Sequence, residues 1–525
     1  MLQEKAHESI AVRTLGSAVT LRTLFAAGMV TLLGLAPVQL VAAPSDAVVG
    51  VRKWRATSER QILAELMRLV SLPNVASSRS DIARNADALT ELFERRGCTV
   101  ARLETPGSPV LVARRDTKGA VGTLTFYMHY DGQPVNAGDW TRGQPFAPAV
   151  FLGAAAVDLM KGTGPIDPEL RVYGRSTSDD KGPIVALLAA LDGLKASKAA
   201  PRWNLRVVLD GEEEAGFPNF DATIKQHASE VRGDIAIVVD SPRHPSGKPT
   251  VFYGSRGGVN AIVTVFGARG AVHSGNYGNF VTDPAMALAK LLASMKDSDG
   301  NVTIANFYDG VVPLTTSEMR AIEAAPNIDR KLLNEFGLAT AEHPDSRIEL
   351  QHNRPTLSIT GIEVSGGGPA AIPASASARI GMRLVNGLEP STQLDRLIAH
   401  IRAQGYYIVS GEPDADTRRV HARMARVTPT GISFRSARTS IDDSRTAPAI
   451  AAIRALALDL VQLPTIGGGL PFATFSETLA LPTLGLAVVN FDNNQHAADE
   501  NIRVGHLWEA IDVFVALLTM PRQAL

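Results

Sequence analysis

The sequence predicts an α/β fold, a mainly parallel sheet with helices on both faces, interrupted by an inserted α+β domain of ferredoxin-like type. Three observations lead there. Thr123–Met128, Asn204–Leu209 and Ile235–Val239 are almost wholly apolar runs, the kind that a sheet buried on both faces requires. From Gly257 the pattern changes, because Val259–Phe266 alternates like an antiparallel strand. At 525 residues the chain is also too long for one ordinary core. The boundaries read from these shifts are a leader over 1–43, a main domain over 48–256 and 431–525, and an insert over 257–430.

The leader carries Arg13 and Arg22, an uncharged apolar run from Leu24 to Val41, and the small residues Ala42 and Ala43 before Pro44. That is how a secretory signal looks, so a periplasmic or secreted protein is expected. A membrane anchor is the alternative, which Gly34, Pro37 and Gln39 weaken. No later stretch is long and apolar enough to span a bilayer, so no membrane contact is expected after the leader is removed. Charged residues make up 20% of the chain with a net charge of -1, which leaves no basic field for nucleic acid and points to a small substrate. The single Cys98 excludes a disulfide framework and any cysteine-rich zinc site.

In order, Ile62, Leu63, Leu66, Leu69 and Val70 mark one helical face and Ala86, Leu89, Leu92 and Phe93 a second. Val100–Arg114 and Thr123–Met128 read as strands, and the latter delivers His129 and Asp131 to one side of its C-terminal end. A strand and polar turn from Arg171 to Gly182 present Asp179 and Asp180, and Pro183 opens a helix to Leu194. Asp at a helix mouth is an ordinary cap, but adjacent carboxylates resist ionisation unless a cation neutralises them. Asn204–Leu209 ends in the acidic turn holding Glu213 and Glu214, and Ile235–Val239 ends in Asp240. In the insert, Pro284–Met295 and Ser391–Gln404 read as helices and Thr356–Glu363 and Ser375–Val385 as strands, while 296–354 and 411–445 give no clear pattern. After Pro448 come a helix through Leu460, the turn Gly467–Pro471, a strand over Thr483–Val489, and His496.

Solvated charge accounts for one acidic turn but not for His, Asp or Glu after strand upon strand. Ligand sites of open α/β sheets form at those C-terminal ends. Imidazole and carboxylate without thiolate suit catalytic zinc, and manganese or cobalt would also fit.

These residues, with Gly174-Arg175, Asp180-Lys181-Gly182, Gly216, His273-Ser274-Gly275, Gly361, Ile372-Pro373, Arg383-Leu384-Val385, Leu470-Pro471 and Glu500-Asn501, resemble the M20 family of dinuclear metallopeptidases. The similarity is to its dipeptidase and carnosinase-like branch and also to glutamate carboxypeptidase. It implies two Zn2+ ions, one on His129, Asp179 and Asp240 and the other on Asp179, Glu214 and His496. Asp131 would orient His129, Glu213 would be the general base, and a cis peptide would follow Asp179. His273 would stabilise the oxyanion, and Arg383 with the turn at Gly468 would bind the substrate. The resemblance further implies an inserted lid or dimerisation domain and a homodimer in which a partner supplies His273. The expected activity is cleavage of dipeptides or C-terminal residues, with N-acyl-amino-acid hydrolysis as the alternative and a non-catalytic binding module as the remote one. Ala271-Val272, Ser176 and Asn386 depart from the family pattern, none at a ligand position, and leave carnosine specificity open.

Overall fold

The computed structural model describes residues 44–522 apart from 160, 162–163 and 457–458, so the expected leader over 1–43 lies outside the described residues. The main sheet has eight strands in the order Thr99–Leu103, Val110–Arg115, Asn204–Asp210, Thr123–His129, Ile235–Val238, Thr483–Ala487, Thr250–Phe252, Val461–Leu463. The strands from Asn204–Asp210 to Thr483–Ala487 are mutually parallel. Outside them the sheet is mixed, since Val110–Arg115 and Thr250–Phe252 each run antiparallel to their inner neighbours.

Burial on both faces explains the apolar runs. Leu124, Phe126 and Met128 enter one core with Leu205, Val207 and Ile237, while Tyr127 enters the other with Val208, Ala236 and Val238. Successive residues of a strand point to opposite faces, so both parities must be apolar. Helices Asp46–Val70, Lys181–Ala196 and Val504–Thr519 pack together over the first face. Phe220–Gln226 and the turn at Thr474–Thr478 help cover the second.

The second sheet is ordered Thr356–Ser365, Ser375–Leu384, Gly257–Phe266, Met424–Phe434, Tyr407–Ile408. Its four long strands are antiparallel neighbours, and helices Pro284–Ala293 and Pro390–Ala403 pack against them through Leu288, Leu291, Leu397 and Ile401. Asp283 caps the first of these helices by accepting from Ala285 N at 2.8 Å, with Pro284 in the first turn.

Several expectations shift. The helix after Asp179 starts at Lys181, ahead of Pro183. The helix expected to run through Leu460 stops at Arg454, and Val461–Leu463 is an edge strand. The patternless 296–354 contains helices Thr316–Ala324, Asp329–Glu335 and Ile348–Gln351. Within 411–445 lie helix Ala415–Val420 and the strand Met424–Phe434, which crosses the expected boundary at 430. No described helix is long and apolar enough to cross a membrane.

Candidate metal centre

Parallel register brings the carboxylates together. His129 pairs with Asp210 at the ends of adjacent strands, so the acidic turn that follows Asp210 lies beside the turn that holds Asp131. Asp131 pins the acidic turn, with Oδ1 accepting from Glu213 N at 3.1 Å and Oδ2 from Glu214 N at 3.0 Å. Its Oδ1 also lies 3.4 Å from His129 Nδ1, long for a hydrogen bond. Asp131 thus orients the two glutamates more directly than it orients the imidazole.

Asp179 is held by a buried node. Glu500, fully buried, accepts from the backbone N–H groups of Ser176, Ser178 and Asp179 at 2.8, 3.0 and 3.1 Å, and from Arg175 Nη1 at 2.8 Å. The peptide bond between Asp179 and Asp180 is cis, as the resemblance implied. Asp180 makes no side-chain cap to the helix it precedes; its Oδ2 instead accepts from His129 N at 3.3 Å. The capping explanation therefore fails for Asp180.

The two carboxylate oxygens of Asp179 face different histidines. Oδ1 lies 2.9 Å from His129 Nε2 and Oδ2 lies 3.0 Å from His496 Nε2. Asp240 Oδ2 is 3.8 Å from His129 Nε2, and Glu214 Oε2 is 3.3 Å from His496 Nε2. His129, Asp179 and Asp240 form one group and Asp179, Glu214 and His496 another, with donor atoms in each group within 4.8 Å of one another. The five residues expected as ligands are thus brought together in these two groups.

The electrostatics fit two cations. Asp240 Oδ2 is buried without a hydrogen-bond partner. Burial pushes Glu214 up to about 8 with the Asp179 charge adding to it, and burial likewise pushes Asp240 up to about 7. Glu213 is held well above the usual carboxylate range by burial and then by Asp240. Burial works against charge on His129 as well, yet Asp240, Asp131 and Asp179 raise its pKa. Such a crowd of buried acids is an incomplete charge balance, which divalent ions on imidazole and carboxylate donors would complete.

A cavity of about 580 Å³ opens over this floor, and Glu213, Arg383 and Gly468 line it. Among the described residues the Glu213 carboxylate accepts no hydrogen bond; its backbone alone is engaged, the N–H by Asp131 and the carbonyl by Gly216 N at 2.7 Å. His273 stands apart: it is exposed on the short strand Val272–His273, does not line the cavity, and accepts from Gly275 N at 3.1 Å. Sequence reasoning missed Gln133, whose Nε2 donates to Glu214 Oε2 at 2.8 Å, and Gln495, whose Nε2 donates to Asp179 Oδ2 at 3.4 Å. It also gave Glu500 no role, although a carboxylate four residues after His496 was visible. Arg256, itself buried, donates its backbone N–H to Gly468 O at 3.0 Å and was not singled out.

The sequence profile of Peptidase family M20/M25/M40 matches residues 125–520. The chain is 24% identical over 466 residues to the human protein named Beta-Ala-His dipeptidase, covering 85% of this chain and 86% of that one. It is 26% identical over 358 residues to the Schizosaccharomyces pombe protein named Cys-Gly metallodipeptidase dug1, covering 64% of this chain and 72% of that one. The fold is shared with a crystal structure of an M20 family metallo-carboxypeptidase from Sulfolobus solfataricus, at a TM-score of 0.72 and 24% identity, covering 87% of this chain and 98% of that one. It is also shared with Dug1p from Saccharomyces cerevisiae, at a TM-score of 0.71 and 23% identity, covering 90% and 98%.

Proposed function

The chain belongs to peptidase family M20/M25/M40 as an M20-type metallopeptidase, and on that premise we propose that it hydrolyses dipeptides or the C-terminal bond of short peptides with two divalent cations, zinc foremost. The observation that carries this reading is Asp179, whose two oxygens each address a separate His-and-carboxylate group. The names of the two relatives, a β-Ala-His and a Cys-Gly dipeptidase, support a dipeptide substrate.

His129, Asp179 and Asp240 would hold one ion and Asp179, Glu214 and His496 the other. When bound, the ions supply Lewis acidity toward a water and toward the scissile carbonyl. Glu213 has the part of the base, because its carboxylate is free of protein partners among the described residues and lines the cavity. It takes the proton of the attacking water and returns it to the leaving nitrogen, a role that contributes about 10²–10⁴-fold. Asp131 fixes the backbone of Glu213 and so the reach of its carboxylate. Arg383 offers a planar fork to the substrate's α-carboxylate at the cavity wall, beside the turn at Gly468.

The isolated position of His273 supports a homodimer in which the insert of one subunit brings His273 over the site of the other. The leader pattern supports export to the periplasm or beyond. A panel of dipeptides and N-acyl-amino acids assayed with the zinc-loaded protein tests the activity; turnover of the dipeptides is expected, and turnover of N-acyl-amino acids alone would replace this reading with the amidohydrolase one. Mixing Glu213→Ala and His273→Ala subunits tests the shared site. Activity should return in mixed dimers, and proven heterodimers without activity would exclude it.

A further inference from the structure

The cavity has a second half that the chemistry above leaves unused. Beyond the acidic floor it is lined by Ile328, Leu332, Phe336, Ile348, Ile466 and Phe491. Four of these come from the stretch 296–354, which forms a wall built around helix Asp329–Glu335. Lys331 ties that helix across the cavity, donating from Nζ to Pro245 O at 2.6 Å and lying 5.7 Å from the Phe491 ring centre. A further cavity of about 430 Å³ lies along the same wall and shares Leu332, Phe336 and Ile348, so the partition between the two is thin. Phe336 is 63% exposed, an arrangement that an aromatic ring serving only the core would not adopt.

Most polar groups in this half already have partners. His244 Nδ1 accepts from Ser246 N at 3.2 Å, which leaves Nε2–H to donate to Glu349 Oε1 at 3.1 Å. The other oxygen of Glu349 lies 3.2 Å from Arg347 Nε, and Arg243 is paired with Glu509. Apart from His352, which also lines the cavity and whose Nδ1 is buried without a hydrogen-bond partner, what remains free to meet a ligand is apolar surface.

We propose that this lobe is a specificity pocket for a large apolar side chain, so that the substrates are peptides carrying leucine- or phenylalanine-sized residues. The proposal rests on the hydrolase reading, and it names Leu332, Phe336 and Ile348 as the residues that set the preference. Small substrates bind without displacing water from the wall, whereas a branched or aromatic side chain removes apolar surface from water on both partners.

The test compares Ala-Ala with Leu-Ala, Ala-Leu, Phe-Ala and Ala-Phe on the zinc-loaded protein. A pocket of this kind should raise kcat/KM about tenfold or more for the larger residue at one of the two positions. Phe336→Ser removes an exposed ring without opening the core, so it should fold and should lose most of that preference; Leu332→Ser is the stronger but riskier variant. Equal kcat/KM across the series, or a preference that Phe336→Ser leaves intact, overturns the proposal. If no dipeptide is cleaved, the hydrolase reading falls, and calorimetry of the same mixtures still decides the lobe. Binding of a Leu or Phe dipeptide about tenfold tighter than Ala-Ala, weakened by Phe336→Ser, upholds it, and equal affinities overturn it.

Discussion

The floor of the cavity and its wall are built by opposite means. The floor is delivered by the ends of parallel strands, whose register fixes His129, Glu213, Glu214 and Asp240 through the whole sheet. The wall is a run of short helices knitted by side chain to backbone bonds: Arg347 donates to Ile322 O, Ala325 O and Pro326 O at 2.8, 3.0 and 3.1 Å, and Asp329 Oδ1 accepts from Ile348 N at 3.1 Å. A floor of the first kind holds charge at fixed distances, which chemistry needs. A wall of the second kind can change residue by residue without disturbing the sheet, which suits selection among substrates.

The contrast is sharpened most by separating neighbours on the floor. Glu213→Gln should keep two metal ions and lose about 10²–10⁴-fold in kcat, whereas Glu214→Gln should lose metal. Equal metal loss in both variants, read by elemental analysis, would break the division of labour. Glu500→Gln comes next. It leaves the shape but weakens the acceptor that gathers Ser176, Ser178 and Asp179, so metal affinity should fall about 10–100-fold, with zinc competition by a chelator as the readout.

Arg383 lies between the two regions, on the strand Ser375–Leu384 and at the cavity edge. Arg383→Ala should raise KM about tenfold for free-acid dipeptides and hardly further for C-terminally amidated ones. An unmutated enzyme indifferent to amidation would remove the clamp. The smallest effect belongs to the wall. Burial and then the Arg256 charge lower His352 to about 4 from an ordinary 6.5. Between those values the unfolded chain takes a proton that the folded one refuses, so stability falls as pH drops from about 6.5 toward 4. His352→Gln should flatten that part of a Tm–pH profile, and an unchanged profile would show that the acid sensitivity lies elsewhere.

The same contrast governs what the sequence made legible. Both-face burial forces apolar runs, and runs that end in His, Asp or Glu announce a site, so the floor was readable residue by residue. Gln133 acts through one hydrogen bond and Glu500 through several, all across long sequence separations, which leave no local pattern. The strand Met424–Phe434 was hidden for another reason. Its pairing slips between Gly258 and Asn260, and Pro429 with Gly431, at φ 65°, interrupts the alternation that would mark a strand. In 296–354 the helices are too short for periodicity to accumulate, and polar bonds rather than an apolar stripe hold them.

The central claim is that one carboxylate serves both ion sites, and metal stoichiometry of three variants tests it most directly. Asp240→Asn and His496→Asn should each keep one tightly held zinc, while Asp179→Asn should keep none under the same dialysis. An Asp179→Asn protein that retains one zinc as tightly as the other two variants would contradict the bridge.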